Sequence, residues 1–367
     1  MFSYRFGRVH NDLKFPLGRP PDPGGVLEVA PGVLWLRLPL PFRVDHVNIY
    51  LLEDGDGWLV IDTGINTPEA IQAWETLLAG RLSNLRISRV LVTHFHPDHI
   101  GLAGWLCKRF DAPLLASQAT YMTSRVICLT QHEMGSRQHL DFYASHGMSE
   151  EAARLVATRG NEYLMLVTEL PASFLRLLMG DQIKIGGRNY RVINGDGHAP
   201  EQTMLYCEEG GLLFAADQVM ERISPNVGVY AGDRSGDPLG HYLRSLRFMR
   251  SEIPDSVLVL PGHGRPFNGL HKRCEELEDH HEHRCELIRE ACSVRRRSAA
   301  ELVPILFARA LDPHQMGFAL TETLAHANRL VRRGEIMEVS EGEKSYFVAI
   351  SAPESGQAIL PVRSRPV

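Results

Sequence analysis

The chain has 367 residues, 44% hydrophobic and 23% charged, with a net charge of −5. Those fractions sit near the averages for soluble globular proteins and exclude disordered and fibrous classes. The lack of a basic excess argues against a dedicated nucleic-acid binder, and the length allows two domains, or one large domain with additions.

Residues 1–30 are rich in Pro and Gly and read as an irregular arm. They lack the apolar stretch of a secretory signal, and no run of 18 apolar residues predicts a membrane span. Short β-rich runs follow at Val33–Leu38, Val47–Leu52 and Trp58–Ile61, with Asp54-Gly55-Asp56-Gly57 as a turn. Pro68–Leu82 carries Ile71, Trp74, Leu77, Leu78 and Leu82 at helical spacing. Val90–Val92 reads as a buried strand and Gly101–Phe110 as a helix. Residues 117–180 read as a mostly helical insertion, with helical patterns at Glu150–Thr158 and Asn161–Leu170. Strands resume at Gln182–Ile185, Tyr190–Ile193, Thr203–Cys207, Leu212–Ala215 and Val257–Leu260. This order suggests a layered α/β arrangement around central sheet. Beyond residue 270, helices are expected at Glu275–Cys292, at Ser298–Ala308 with Ser298 as N-cap, and at Gln315–Arg333 with Gly334 as the stop. A hairpin around Glu341-Gly342-Glu343 completes the outline of a winged helix over 271–350. Six cysteines without a CxxC pair do not form a disulfide framework, and a reducing cytoplasm is the expected setting.

The residues with chemistry to offer are the histidines and their acidic neighbours. Thr93-His94-Phe95-His96-Pro97-Asp98-His99 places three His and one Asp within six residues, directly after an apolar strand. Imidazole and carboxylate donors without sulfur suit Zn, Fe or Mn. Three more donors stand at strand ends or in strand connections: His198 in Gly-Asp-Gly-His, Asp217 after Leu213-Phe214-Ala215-Ala216, and His263 in Pro-Gly-His-Gly. A charged group closing an apolar strand is costly to bury unless something binds it. Together they make seven N/O ligands, enough for two metals.

This pattern resembles the metallo-β-lactamase superfamily, with Val60-Ile61-Asp62-Thr63-Gly64 matching an early strand–turn motif. The resemblance covers about residues 30–270, and hydroxyacylglutathione hydrolases are the relatives it suggests. It implies an αββα sandwich over 31–270, with the helical insertion and a C-terminal winged-helix-like domain added. It also implies that His94, His96 and His198 hold a first metal, that Asp98, His99 and His263 hold a second, and that Asp217 bridges them. Asp62 would orient a ligand imidazole. The cofactors implied are two divalent ions, zinc foremost, with iron or manganese as alternatives. The implied chemistry is hydrolysis: two cations about 3.5–4 Å apart share a water and bring its pKa towards neutrality. Asp98 and Asp217 are the expected catalytic carboxylates, and a small ester, thioester or lactone is the expected substrate. A phosphodiesterase or endoribonuclease is the alternative, and a non-catalytic protein is disfavoured by the intact ligand set.

Substrate contacts are expected from Tyr121, His132, Met134, His139, Phe142 and Tyr143 in the insertion, and from Arg222, Asn226 and Tyr230 after Asp217. The cluster His280, His281 and His283 cannot converge on one ion, because helix neighbours point about 100° apart; a solvated helix face is expected instead. Residues 271–350 hold 12 Lys/Arg and 14 Asp/Glu, which favours packing or dimerisation over nucleic-acid contact.

Overall fold

The computed structural model describes residues 13–130, 137–158 and 162–350. Strands β1 (Leu27–Ala30), β2 (Val33–Pro39), β3 (His46–Asp54) and β4 (Gly57–Ile61) pair antiparallel in turn. Helix α1 (Pro68–Ala79) then crosses to β5 (Ile87–Leu91), parallel to β4. Thr67 caps α1, accepting from the Ala70 amide, and Pro68 opens it. The short α2 (Pro97–Ile100) and α3 (Ala103–Phe110) lead to β6 (Leu114–Ala116), again parallel. After α4 (Gln118–Leu129), α5 (Arg137–Ser145), α6 (Glu150–Thr158) and α7 (Tyr163–Leu166), β7 (Leu175–Arg176) closes a seven-stranded sheet.

The second sheet has the order β12-β11-β10-β9-β8. It contains β8 (Gln182–Ile185), β9 (Arg188–Gly195), β10 (Gln202–Cys207) and β11 (Leu212–Ala216). Helix α8 (Pro238–Glu252) crosses from β11 to the parallel β12 (Leu258–Pro261). The chain ends in α9 (Leu270–Val294), α10 (Ala299–Leu306), α11 (Pro313–Arg332) and the hairpin β13 (Ile336–Glu341) and β14 (Lys344–Ala349). Ser298 and Glu301 form a reciprocal cap at the start of α10.

Period-2 alternation sorts the strands' apolar residues into layers. Trp35, Tyr50, Leu52, Leu59 and Leu91 from the first sheet meet Tyr190, Val192, Leu205, Leu212 and Phe214 from the second in a shared core. The alternate residues Leu36, Ile49, Leu51, Val60 and Val90 face outward under Trp74, Leu77 and Leu106 of α1 and α3. On the far side, Met204, Leu213 and Ala215 pack beneath α8 and the C-terminal helices. The layers therefore run helix, sheet, sheet, helix, a mixed α/β architecture with a C-terminal helical addition.

Four expectations need correction. The arm ends early, since residues 27–30 pair with β2. No helix was expected between Asp217 and His263, yet Asp237 caps α8, Pro238 opens it, and Leu239, Tyr242, Leu243, Leu246 and Met249 bury one face. The helical pattern at 161–170 yields only the four residues of α7. The residues after it turn back, with the Thr168 amide donating to Gly101 O. Finally, His281 is not solvated. It is 0% exposed, and its Nδ1 lies 3.0 Å from His326 Nε2. The solvated-face reading failed because α11 covers that side of α9.

Candidate metal centre

Topology brings the donors to one edge. Asp62 follows β4, and the 93–99 loop follows β5, which is parallel to it. In the second sheet, β11 and β12 run parallel and end at Asp217 and His263. β9 and β10 are antiparallel, and their connection places His198 at that same end. Carboxyl ends of parallel strands are where open α/β sheets place their ligands.

Each imidazole is held from outside and left open within. His99 Nδ1 lies 2.7 Å from Asp62 Oδ2. His198 Nδ1 donates to Asn226 O at 2.8 Å, and His263 Nδ1 donates to His46 O at 2.8 Å. The Nε2 atoms of all three, and both carboxylate oxygens of Asp217, are buried with no hydrogen-bond partner. They face one another across 3.4–3.5 Å: Asp217 Oδ1 lies 3.5 Å from His99 Nε2, and its Oδ2 lies 3.5 Å from His198 Nε2 and 3.4 Å from His263 Nε2. Asp98 Oδ2 is 3.3 Å from His263 Nε2 and 3.7 Å from His99 Nε2. His94 Nε2 lies 3.0 Å from His96 Nδ1.

Buried polar atoms are ordinarily satisfied, so this many orphaned atoms aimed at one space fit a cation set. Among the described residues, three donor groups are close enough to share an ion: His94/His96/His198, Asp98/His99/His263 and His94/His99/Asp217. The first two contain the same residues as the two sets that the family resemblance implies, and the third joins Asp217 to a residue of each.

Local backbone makes this possible. Asp62 sits in a left-handed conformation, φ 62°. Its Oδ1 accepts from the Thr93 amide at 2.8 Å, and its Oδ2 accepts from the Thr93 hydroxyl at 2.9 Å. Thr93 Oγ1 lies 2.9 Å from His94 Nδ1, so one carboxylate orients two imidazoles. Gly262 leaves room for the bridge: a Cβ there would stand 2.3 Å from Asp217 Oδ1.

Electrostatics agree. Burial opposes charge on Asp98, but His99 and His263 outweigh it and hold the carboxyl below its usual range. For Asp217 burial is again overcome, by His263 and His99. Burial lowers His263, but the Asp217 charge lifts it to about 9. Burial, reinforced by His198, presses His96 down to about 3.

The expected substrate contacts fare less well. Tyr121 is buried, stacked on Phe174 at 4.1 Å, with its hydroxyl donating to Pro171 O. It packs the insertion and presents no face to substrate. Phe142 is core, and Tyr143 packs against that core. Asn226 is buried, with its amide on Glu322 and its carbonyl on His198, so it supports a donor instead of lining a cleft. Arg222 is exposed beside Glu221. Tyr230 is 46% exposed and donates to Asn226 Oδ1 at 3.2 Å. His139 is half-buried on α5; His132 and Met134 lie outside the described residues. From the insertion, Tyr163 reaches the donor loop itself, its hydroxyl donating to Phe95 O at 2.6 Å.

Sequence reasoning missed the supports of His263. Asn48 donates to Pro261 O and Gly264 O, and Arg37 donates to Gly264 O and Asn48 Oδ1. Asn48 amid the apolar run Val47–Leu52 was the available signal.

The chain belongs to the metallo-β-lactamase superfamily, whose family model matches residues 42–263; a second model, metallo-beta-lactamase-like C-terminal domain, matches 285–346. It is similar to the probable metallo-hydrolase YqjP of Bacillus subtilis (strain 168), at 27% identity over 86% of this chain and 97% of that protein. It is also similar to an atrochrysone carboxyl ACP thioesterase of Aspergillus terreus, at 22% identity over 84% of this chain and 81% of the relative. Among solved structures, a beta-lactamase domain protein from Burkholderia ambifaria matches 95% of this chain and 100% of its own, at 39% identity and a TM-score of 0.85. The protein is a metal-binding hydrolase.

Proposed function

We propose that this hydrolase uses two divalent ions, zinc foremost with iron or manganese as alternatives, to cleave a small ester, thioester or lactone. In this reading His94, His96 and His198 hold one ion, Asp98, His99 and His263 hold the other, and Asp217 lies between them. Bound there, the cations supply Lewis acidity and make hydroxide available near neutral pH. Asp98 is 6% exposed against 0% for Asp217, so of the two carboxylates Asp98 is the one nearer solvent. Asp62 and the carbonyls of Asn226 and His46 keep the donor nitrogens turned inward. Arg222 and Tyr230, both exposed after Asp217, remain the substrate contacts of choice.

One observation carries the reading: three buried imidazole nitrogens and both Asp217 oxygens meet with no hydrogen-bond partner. The thioesterase named among the relatives favours an acyl substrate over a phosphodiester. We read residues 271–350 as winged-helix-like from their helix, helix, hairpin order. The setting is cytoplasmic in this reading, consistent with six cysteines that form no disulfide. The test is elemental analysis with a panel of thioesters, lactones and short RNA, run on chelated and reconstituted protein. Two metal equivalents and metal-restored acyl hydrolysis are expected. A single equivalent that added metal cannot raise overturns the dinuclear centre, and RNA cleavage alone overturns the substrate class.

A further inference from the structure

Residues 218–236, which follow Asp217, form no helix or strand, yet much of the segment is buried. Its carbonyl at Asn226 is the acceptor that fixes His198. A carbonyl on irregular backbone is only as steady as whatever holds the loop. Here the holders come from the C-terminal helices. Arg273 of α9 donates to Met220 O at 2.6 Å and Ile223 O at 3.2 Å. The Val229 amide donates to Thr321 O at 3.0 Å. Asn328 of α11 donates to Arg234 O and Gly236 O. At the decisive residue, Asn226 Nδ2 donates to Glu322 Oε2 at 3.2 Å. Glu322 is buried, and the buried Arg284 donates to its other oxygen. A buried carboxylate and guanidinium add little net stability against apolar replacements, so their presence calls for another use.

We propose that Glu322, braced by Arg284, is a positioning residue for the metal site: through the Asn226 amide it sets the carbonyl that turns His198 Nε2 towards the ion. The C-terminal unit thereby completes a donor set whose ligands all lie outside it. This rests on the reading of His198 as a ligand. The hydrogen bonds run Arg284 to Glu322, Asn226 to Glu322, and His198 to Asn226, joining four segments: α9, α11, the 218–236 loop and the β9–β10 connection.

The test titrates metal-free, full-length protein with Zn2+ against a chromophoric competing chelator. Asn226→Ala cuts the link and leaves the Arg284–Glu322 pair intact. It is expected to weaken one of two zinc equivalents about 10-fold, the scale of outer hydrogen bonds to metal ligands, with the other little changed. Asn226→Asp fills the same space but sets a carboxylate against Glu322, so it is expected to lose more affinity than Asn226→Ala. A role in packing alone predicts the reverse order. Asn328→Ala loosens the far end of the loop at Arg234 and Gly236 and leaves the Asn226–Glu322 bond in place, so it is expected to lose less affinity than Asn226→Ala. Wild-type affinity in a folded Asn226→Ala protein, or equal loss in Asn328→Ala, overturns the proposal. Failure of the wild type to take up zinc at all overturns the metal-site reading itself.

Discussion

Asp62 shows how much one side chain carries. Its carboxylate holds the Thr93 amide and hydroxyl and faces His99 Nδ1. Asp62→Asn keeps the shape but replaces an acceptor with a donor towards His99. Activity is expected to fall about 10–100-fold, with weaker metal retention, checked by steady-state kinetics and elemental analysis of one preparation. With two ions held as proposed, Asp217→Ala would leave them without the carboxylate between them; loss of activity and of at least one metal equivalent is expected. The donors were legible because His94, His96, Asp98 and His99 crowd six positions, and because His198, Asp217 and His263 interrupt apolar strands or their turns. Tyr121 and Asn226 were misjudged because sequence gives residue type but not direction, and both point into packed surroundings. Backbone acceptors such as His46 O leave no mark in sequence at all.

At the scale of elements, the long apolar periods of α1 and of the sandwich strands announced themselves, and so did the Ser298 cap. The pairing of α9 with α11 did not, because which face of a charged helix is covered depends on a partner some 40 residues away. His326 Nδ1 donates to Glu322 O, so its Nε2 accepts from His281 Nδ1, and both rings are neutral. Tyr242, His280 and Arg284 are their neighbours. Burial, aided by Arg284, lowers His326 to about 3, and burial with His280 lowers His281 far below its usual value. Unfolded histidine titrates at about 6.5. Between those values the unfolded chain binds more protons, so stability is full above about pH 6.5 and falls with acidification. Denaturant melts at pH 7.5 and 5.5 should show that loss, and His326→Gln should show a shallower slope. His281→Ala should lower the melting midpoint, since it cuts a buried hydrogen bond and opens a void.

The whole molecule joins two sheets, an insertion and a C-terminal helical unit by continuous packing. Helices α5 and α6 of the insertion lie against that unit: the Ala300 amide donates to His146 O, and a Cβ at Gly317 would stand 2.8 Å from Val156 Cγ1. Phe142, Leu302, Leu320 and Leu324 share one core. The apolar stripes of α10 and α11 are therefore spent inside the protein. With net charge −2 over residues 271–350, counterion release offers little drive for nucleic-acid binding. Fluorescence anisotropy at micromolar protein and physiological salt should detect no complex with RNA or duplex DNA.

The donors also divide between the halves of the sandwich. His94 to His99 hang from the first sheet, and His198, Asp217 and His263 from the second. Ions seated among them would rivet the two halves across the seam, so losing them would loosen the fold as well as remove the chemistry. Ligands that bind only the folded chain stabilise it by mass action, about 2.7 kcal/mol at a hundred times Kd. Stripping the ions should let the sheets part sooner and expose the 218–236 loop to a protease. Zinc-loaded protein should then outlast chelated protein in limited proteolysis, with early cuts in that loop.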